Sequence, residues 1–152
     1  MKRILLALLL LPALLAGAET DSEPIANLRK KAEQGLAGAQ SNLGEMYAHG
    51  YGVTKDLAEA ARWYRKSAEQ GFGEAELNLG MACLQGQGVP KDETEGLAWI
   101  MVACRKGNVT LVKFREKVEV RVGPAVTAAA QQRSKELVAL IEANKRAKAA
   151  AK

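Results

Sequence analysis

The sequence predicts an all-α protein, an α-solenoid of antiparallel helix pairs with two full repeats and capping helices at both ends. The first observation is an internal period of 36 residues. Residues 32–35 recur unchanged at 68–71 and residues 42–44 at 78–80, and about fifteen of the 36 aligned positions are identical without a gap. The second observation is that signals for helix starts and helix ends recur at the same offsets in both copies.

Each repeat is predicted to open with one helix, at residues 39–48 in the first copy and 75–84 in the second. Both stretches are followed by a pair of glycines, Gly50 with Gly52 and Gly86 with Gly88. Glycine readily adopts the positive φ that commonly ends a helix, so these residues mark turns. A nucleotide-binding loop is the other interpretation, but these glycines follow helices and recur with the repeat.

The second helix of each repeat is predicted to start at Asp56 and at Asp92. An aspartate there can accept hydrogen bonds from the free N–H groups of the first turn. A glutamate three residues later, Glu59 or Glu95, completes a capping box. Helical spacing then places one face in the core, formed by Ala60, Trp63, Tyr64 and Ser67 in the first copy and Gly96, Trp99, Ile100 and Ala103 in the second.

The recurring residues resemble the Sel1-like repeat family, a relative of the tetratricopeptide repeats. The resemblance covers two full repeats, residues 32–107, and rests on Ala39, Leu43, Gly44, Tyr47, Gly50, Gly52, Val53, Asp56, Ala60, Trp63, Tyr64, Ala68 and Gly71. The second copy departs from the pattern at Cys83, Gly96 and Ile100. The resemblance implies that the smallest residues lie where paired helices cross, Gly44 with Ala60 and Gly80 with Gly96. A bulky residue there is expected to be strongly destabilising.

Residues 1–18 have the layout of a secretory signal peptide. Lys2 and Arg3 precede an apolar run at 4–15, and small residues follow up to Ala18. The run is shorter than the about twenty residues that span a bilayer. We therefore expect cleavage after Ala18 and no membrane span in the mature chain, with a retained anchor as the alternative. The expected location is the periplasm in a Gram-negative bacterium, and otherwise the exterior.

Both flanks of the repeats are predicted to be capping segments. Residues 19–31 form the N-terminal capping helix region, in which Asn27 stands where Trp63 stands in the repeat. Residues 108–152 are predicted to contain a weak third-repeat helix at 109–120, a break at Gly123 and Pro124, and a C-terminal capping helix at 125–148. The expected apolar contacts of this last helix are Val126, Leu137, Leu140 and Ile141.

The basic excess is concentrated at the C-terminal end. The formal charge falls from +5 to +3 once Lys2 and Arg3 are removed, and no acidic residue follows Glu142. We interpret the lysines and arginine after it as a solvated helix end. No nucleic-acid partner is expected, because an exported protein rarely meets nucleic acid.

Few residues suggest chemistry. His49 is the single histidine, and the sequence contains no Cys-x-x-Cys, Gly-x-Ser-x-Gly or phosphate-loop motif. We therefore expect no catalytic residue, no metal and no cofactor. Cys83 and Cys104 are expected to be buried and unpaired, because the helix register separates them by about 15 Å, whereas a disulfide needs Cα atoms within about 7 Å. The alternative is a disulfide, since an exported chain with two cysteines often forms one and Cys104 resembles a bridging position of cysteine-rich family members.

The resemblance favours an exported interaction scaffold that binds a segment of another protein, expected to be an envelope protein. A hydrolase acting on cell-wall or β-lactam substrates is the alternative, because some members of the family are linked to β-lactam binding. A structural spacer is a third hypothesis, and the oligomeric state is open.

By analogy with tetratricopeptide units, the concave groove is expected to be lined by exposed positions on the first helix of each unit. These positions are Ser41, Glu45, Ala48 and His49, then Leu77, Met81, Leu84 and Gln85, and in the weak third unit Lys113, Lys117 and Arg121. An apolar middle beside a basic end suits a partner with apolar anchors and acidic residues. The alternative is that Leu77, Met81 and Leu84 are covered by the C-terminal helix.

Overall fold

A computed structural model describes residues 23–151 of the chain, so the predicted signal peptide lies outside the described residues. The described part contains helices and no strand, which confirms the predicted all-α solenoid. The helices are α1 (Glu23–Glu33), α2 (Ala37–His49), α3 (Leu57–Ala68), α4 (Gly73–Gln85), α5 (Glu93–Ala103), α6 (Val109–Val122) and α7 (Pro124–Ala150). A 3₁₀ turn, Cys104–Lys106, follows α5.

The first helices of the two repeats, α2 and α4, are confirmed and extend one or two residues beyond the predicted ends. Both end at a glycine in the left-handed region, Gly50 with φ 76° and Gly86 with φ 68°. Gly88 has a second role, because a Cβ at this position would lie 1.9 Å from the carbonyl oxygen of Leu57. The turn of the second repeat therefore rests directly on the start of α3, which is how one repeat stacks on the next.

The aspartate caps are confirmed, whereas the reciprocal half of the capping box is not formed. Asp56 accepts from the N–H groups of Ala58 and Glu59 at 2.9 and 3.0 Å, and Asp92 accepts from Glu95 at 2.9 Å. The backbone N–H of Asp56 donates instead to the carbonyl of Tyr47 at 2.9 Å, and Asp92 makes the same bond to Cys83. The two glutamates are therefore free for other partners, and Glu95 accepts from the Trp99 indole at 2.9 Å.

The predicted apolar faces of the second helices form the core. Ala60, Trp63, Tyr64 and Ser67 are all buried, as are their four counterparts on α5. Helix α5 is buried on almost every side, since it packs against α4, α6 and α7. The core is therefore centred on the second helix of the second repeat.

Paired helices cross at the predicted small residues. A Cβ on Gly80 would lie 2.8 Å from the carbonyl oxygen of Gly96, and a Cβ on Gly44 would lie 2.7 Å from the ring of Tyr64. A distance below about 3 Å forces a neighbour to move, and a backbone carbonyl cannot move as a side chain does. The backbones of α4 and α5 are thus in direct contact at this crossing.

Helix α7 runs along α5 and then continues across the turns of the earlier repeats. Arg133 pairs with Glu95 near the start of α5 at 2.7 Å, and the Asn144 amide donates to the carbonyl of Glu69 at 3.0 Å. Farther on, the Lys148 amine donates to the carbonyl of Gly35 at 3.1 Å. The last turns of α7 are therefore attached to the α1–α2 and α3–α4 turns.

The packing of α7 corrects one sequence prediction. Leu137 and Ile141 are buried and Val126 is half-buried, as expected, but Leu140 is 41% exposed. Neighbouring positions on a helix are about 100° apart, so Leu140 turns away when Ile141 faces the core. No helix among residues 23–151 combines the length and hydropathy needed to span a bilayer.

A polar position lies inside the stack and changes character between the repeats. In the first repeat, Gln40 donates to the carbonyl of Ala32 at 3.0 Å and accepts from Gln70 at 2.7 Å. One period later stands Glu76, which is 1% exposed and pairs with Arg105 at 3.0 Å. Burial raises the pKa of Glu76 above its usual value, although the Arg105 guanidinium opposes the shift.

The helix crossing predicts opposite effects for one substitution at two sites. Gly80→Ala should lower the free energy of unfolding by about 1–3 kcal/mol, because the added methyl meets the Gly96 carbonyl. Gly73→Ala is the matched control, since the nearest atom to its added Cβ lies 3.9 Å away, and greater helix propensity should stabilise it by up to about 1 kcal/mol. Urea unfolding of both variants measures the difference, and equal stabilities would contradict the crossing.

Buried Glu76 predicts a pH-dependent effect of known sign. Its folded pKa is raised, so as pH rises through the usual value of 4.5 the unfolded chain loses this proton first and stability falls. Glu76→Gln lacks that loss, so its unfolding free energy relative to the native protein should increase with pH above about 4.5. Unfolding in urea across a pH series measures this difference.

The control for this experiment is Glu59→Gln. The hydrogen bond from Arg62 lowers the pKa of Glu59, so this carboxyl contributes more stability to the native protein as pH rises. The unfolding free energy of Glu59→Gln relative to the native protein should therefore decrease with pH. The same sign of pH dependence in both variants would contradict the assignment of Glu76 as a buried carboxylate.

Candidate functional site

The groove residues predicted on α2 and α4 divide into surface and core positions. Glu45 is half-buried and His49 is exposed, whereas Ser41 is fully buried and its predicted exposure is wrong. A serine side chain is short enough for its neighbours to cover it. Leu77, at the same repeat position, remains half-exposed.

On α4, Met81 is half-buried and Gln85 is exposed, whereas Leu84 is buried and belongs to the core. Leu84 packs at the helix crossing, because a Cβ on Gly96 would lie 2.8 Å from its Cγ. The C-terminal helix packs against α5 and α6, and Leu77 and Met81 keep part of their surface exposed. The buried parts of both side chains pack against the core.

Three of the predicted residues, Ala48, His49 and Met81, line one hollow of about 300 Å³. Its sides are the C-terminal end of α2 and the middle of α4, and its floor is α3 between Leu57 and Tyr64. The other lining residues are Lys55, Leu57, Ala60, Ala61, Tyr64, Asn78, Ala82 and Gln87. The hollow therefore has an apolar floor and a polar rim.

The hollow exists because small residues stand at two positions that are large in the second repeat. Ala48 and Ala61 line it, and one period later these positions are Leu84 and Leu97, which are both buried in the core. The same fold thus has an open space in one repeat and a filled one in the next. This feature was not identified from the sequence, although the alignment of the two copies contains the signal.

Aromatic side chains border the hollow. The ring of His49 stacks on Tyr51 with centroids 5.1 Å apart and an interplanar angle of 22°, and Tyr51 is 64% exposed. On the floor, burial raises the pKa of Tyr64 to about 12, and the nearby carboxylates of Glu45 and Glu74 act in the same direction. The Tyr64 phenol is therefore neutral at physiological pH.

The three basic residues of the predicted groove lie elsewhere. Lys113, Lys117 and Arg121 are all exposed on α6, where only Val118 is buried. None of the three lines the hollow. The structure therefore separates the predicted basic end from the apolar hollow.

The side chains with possible chemistry are engaged in packing or in local contacts. Cys83 and Cys104 are buried and unbridged, and burial raises the pKa of both thiols, which keeps them protonated. The hydroxyls of Ser67 and Ser134 donate to backbone carbonyls. Within residues 23–151, no group of three or more His, Cys, Asp or Glu side chains is placed to hold a metal ion.

Known proteins share this architecture. The Sel1 repeat family matches residues 37–72 and 73–108, and no curated protein matches the chain. One similar solved structure is c5321, a protective antigen of uropathogenic Escherichia coli strains with an SLR fold. It is 31% identical, has a TM-score of 0.74, and the match covers 84% of this chain and 27% of that one.

Two further structures match. A Sel1 repeat protein from Oxalobacter formigenes is 35% identical, with a TM-score of 0.58 and coverage of 60% of this chain and 27% of that one. Cysteine rich protein B of Helicobacter pylori is 30% identical, with a TM-score of 0.56 and coverage of 59% and 68%. This chain thus spans about a quarter of the length of the first two proteins.

Sel1 repeats generally mediate protein–protein interaction and are typically non-catalytic scaffolds. The two 36-residue helix pairs lie where the family match begins and ends, and the solved structures superpose on the described helices. From its sequence and its architecture, this chain belongs to the Sel1 repeat family.

Proposed function

We propose that this protein is an exported interaction module that holds an extended segment of another protein on the face formed by α2, α4 and α6. The observation that carries the proposal is the hollow between α2, α3 and α4, which the second repeat fills with leucines. A space of this size with an apolar floor suits an apolar side chain of a partner. Such anchors commonly contribute most of the binding free energy at protein interfaces.

The floor of the hollow favours an apolar anchor over a charged one. Ala60, Ala61 and Met81 supply apolar surface, and the phenol of Tyr64 carries no charge at physiological pH. A partner charge buried on this floor would lose its hydration, because the ionisable Lys55 lies at the rim and not on the floor. We therefore expect a leucine, methionine or phenylalanine side chain at this point.

The rim of the hollow supplies the contacts that orient the segment. His49 lines the rim and Tyr51 stacks on its outer side, while Asn78 and Lys55 also line the hollow. Amide and ammonium groups can bond to the backbone carbonyls of an extended peptide. Anchor and rim together resemble the usual anatomy of a peptide site, with an apolar centre and a polar border.

The basic residues of α6 extend the proposed surface toward acidic residues of the partner. Lys113, Lys117 and Arg121 are spaced by four and share one helix face, so they repel one another in the free protein. An acidic partner segment would relieve that repulsion. The partner is accordingly proposed to carry an apolar anchor and, farther along, acidic side chains.

The signal-like layout of residues 1–18 supports export and an envelope protein as the partner. Export predicts that mass spectrometry of the protein isolated from its host finds Glu19 at the N-terminus. A matched chain with Ala16→Leu and Ala18→Leu should accumulate uncleaved, because signal cleavage requires small residues at these positions. Native protein that retains Met1 in the membrane fraction would contradict cleavage and favour the anchor.

The binding surface can be tested by filling the hollow. A photocrosslinker on Asn78→Cys would first capture and identify the partner from envelope extract. Ala61→Leu places the residue of the second repeat at the same position, so it should fold and yet weaken binding by about 1–3 kcal/mol. Ala58→Leu, the same change on the exposed side of α3, is the control and should bind normally.

The basic end is tested separately by Lys117→Glu with Arg121→Glu. Binding should weaken by about 1 kcal/mol or more and become less dependent on salt, while the helical circular-dichroism signal is unchanged. Normal binding by both the charge-reversal and the Ala61→Leu proteins would show that the partner contacts another surface.

A further inference from the structure

A row of lysine amines lies at the opposite ends of the helices from the hollow, along the turns that follow α1, α3 and α5. Lys148 donates to the carbonyl of Gly35 in the first of these turns at 3.1 Å. The amine of Lys145 lies 3.2 Å from the Cβ position of Gly71 in the second turn, and the amine of Lys106, from the third turn, lies 3.9 Å from the Cβ position of Gly73. We call these three residues, one for each successive turn, the lysine row.

The row exists because α7 continues past the end of α5. Lys145 and Lys148 come from the last turns of α7, which cross the α3–α4 and α1–α2 turns, whereas Lys106 belongs to the turn after α5 itself. Lys145 and Lys148 line one hollow between the first two turns, and the Lys106 amine lies beside the start of α4. The three charges therefore form one basic patch on this edge of the solenoid.

Other charges at this edge leave it positive. Lys30, Lys31, Lys66 and Arg146 are exposed at the same ends of α1, α3 and α7. The carboxylates there are Glu33, Glu69, Glu74 and Glu142, of which Glu142 pairs with Lys145 at 3.0 Å. Glu76 is neutralised by Arg105. The basic residues therefore remain in excess.

The backbone at the start of α2 adds to the positive potential. Helices α2 and α4 begin at this edge after Leu36 and Phe72, and neither start has a side-chain cap. The free N–H groups of a helix start carry partial positive charge. The first turn of α2 contains no acidic residue to offset that charge, whereas the first turn of α4 contains Glu74 and Glu76.

An apolar side chain stands within the charged edge. Leu36 is 49% exposed, and it borders a hollow of about 460 Å³ that is also lined by Gln70, Lys145 and Lys148. That volume is within the range of about 300–1,000 Å³ found for small-molecule sites. The edge thus combines clustered cations, a hollow that can hold a headgroup, and one leucine able to enter an apolar layer.

We propose that this edge docks the protein on a membrane surface rich in anionic phospholipid, with the lysine row facing the phosphates and Leu36 entering the interface. The basic patch complements a layer of phosphates, and the exposed Leu36 beside it can enter the apolar layer beneath those phosphates. Basic residues with a neighbouring apolar anchor are a common means of reversible membrane attachment. This inference is independent of the proposed peptide site.

The test uses the purified protein in the N-terminal form that accumulates in cells, sedimented with vesicles of phosphatidylcholine or of phosphatidylcholine mixed with phosphatidylglycerol. Neutral and anionic vesicles are compared with the same protein preparation. Any binding by the N-terminal segment that does not depend on lipid charge is then equal in both and cancels. The native protein should prefer the anionic vesicles, and added salt should abolish the preference. Lys106→Gln with Lys148→Gln should weaken this binding by roughly 25-fold, at about fivefold for each lysine.

The matched control is Lys55→Gln with Lys91→Gln, which removes the same charge from the α2–α3 and α4–α5 turns at the other edge. This control should bind anionic vesicles within about a factor of two of the native protein. Because Lys148 also attaches α7 to two turns, Lys31→Gln with Lys106→Gln provides a second variant of the same edge with no described hydrogen bond to lose. It should lose binding to the same degree.

Three results would overturn the proposal. The first is equal binding to neutral and anionic vesicles. The second is an equal loss in the Lys55 and Lys91 control, which would show that net charge alone matters. The third is binding to soluble polyglutamate without binding to anionic vesicles, which would assign the edge to an acidic protein partner instead.

Discussion

The contact between the backbones of α4 and α5 at Gly80 and Gly96 determines much of the remaining architecture. With no side chain between them, the two helices approach until carbonyl and Cα atoms touch. This approach brings Leu84, Ile100 and Trp99 into one core, where all three are almost completely buried. It also aligns the ends of the pair, so that Asp92 can donate its N–H to the carbonyl of Cys83.

The first repeat uses the same geometry with different side chains, and the differences create the candidate site. Gly44 again allows close approach, but its partner is Ala60 and the ring of Tyr64 occupies the crossing. Ala48 and Ala61 then leave space where the second repeat has leucines. The repeat that is less completely filled is therefore the one with an open hollow, while α5 is sealed by α6 and α7.

The sequence predicted the elements that depend on local chemistry. The helix ends at Gly50 and Gly86 and the caps at Asp56 and Asp92 are decided within a few residues, so the repeat pattern identifies them. The buried faces of α3 and α5 were also predicted, because helical periodicity and burial are directly linked.

The features that sequence analysis missed depend on contacts between distant elements. Ser41 has a position suited to exposure, yet its neighbours cover it completely. The course of α7 across the earlier turns is determined by bonds such as that from Asn144 to Glu69, which are 75 residues apart. The ion pair of Glu76 with Arg105 also joins distant residues, which are 29 positions apart. In the sequence, only the replacement of Gln40 by Glu76 between the two copies indicates it.

The apolar hollow and the lysine row lie on opposite edges because corresponding helices of successive repeats run parallel. Helix α2 is 13 residues long and therefore extends about 20 Å. Its C-terminal end at His49 borders the apolar hollow, and its N-terminal end at Ala37 lies at the lysine row. Each further repeat places its own two helix ends on the same two edges, so the hollow and the lysine row stay on opposite edges. Attachment of one edge to a surface would therefore leave the opposite edge free to bind a partner.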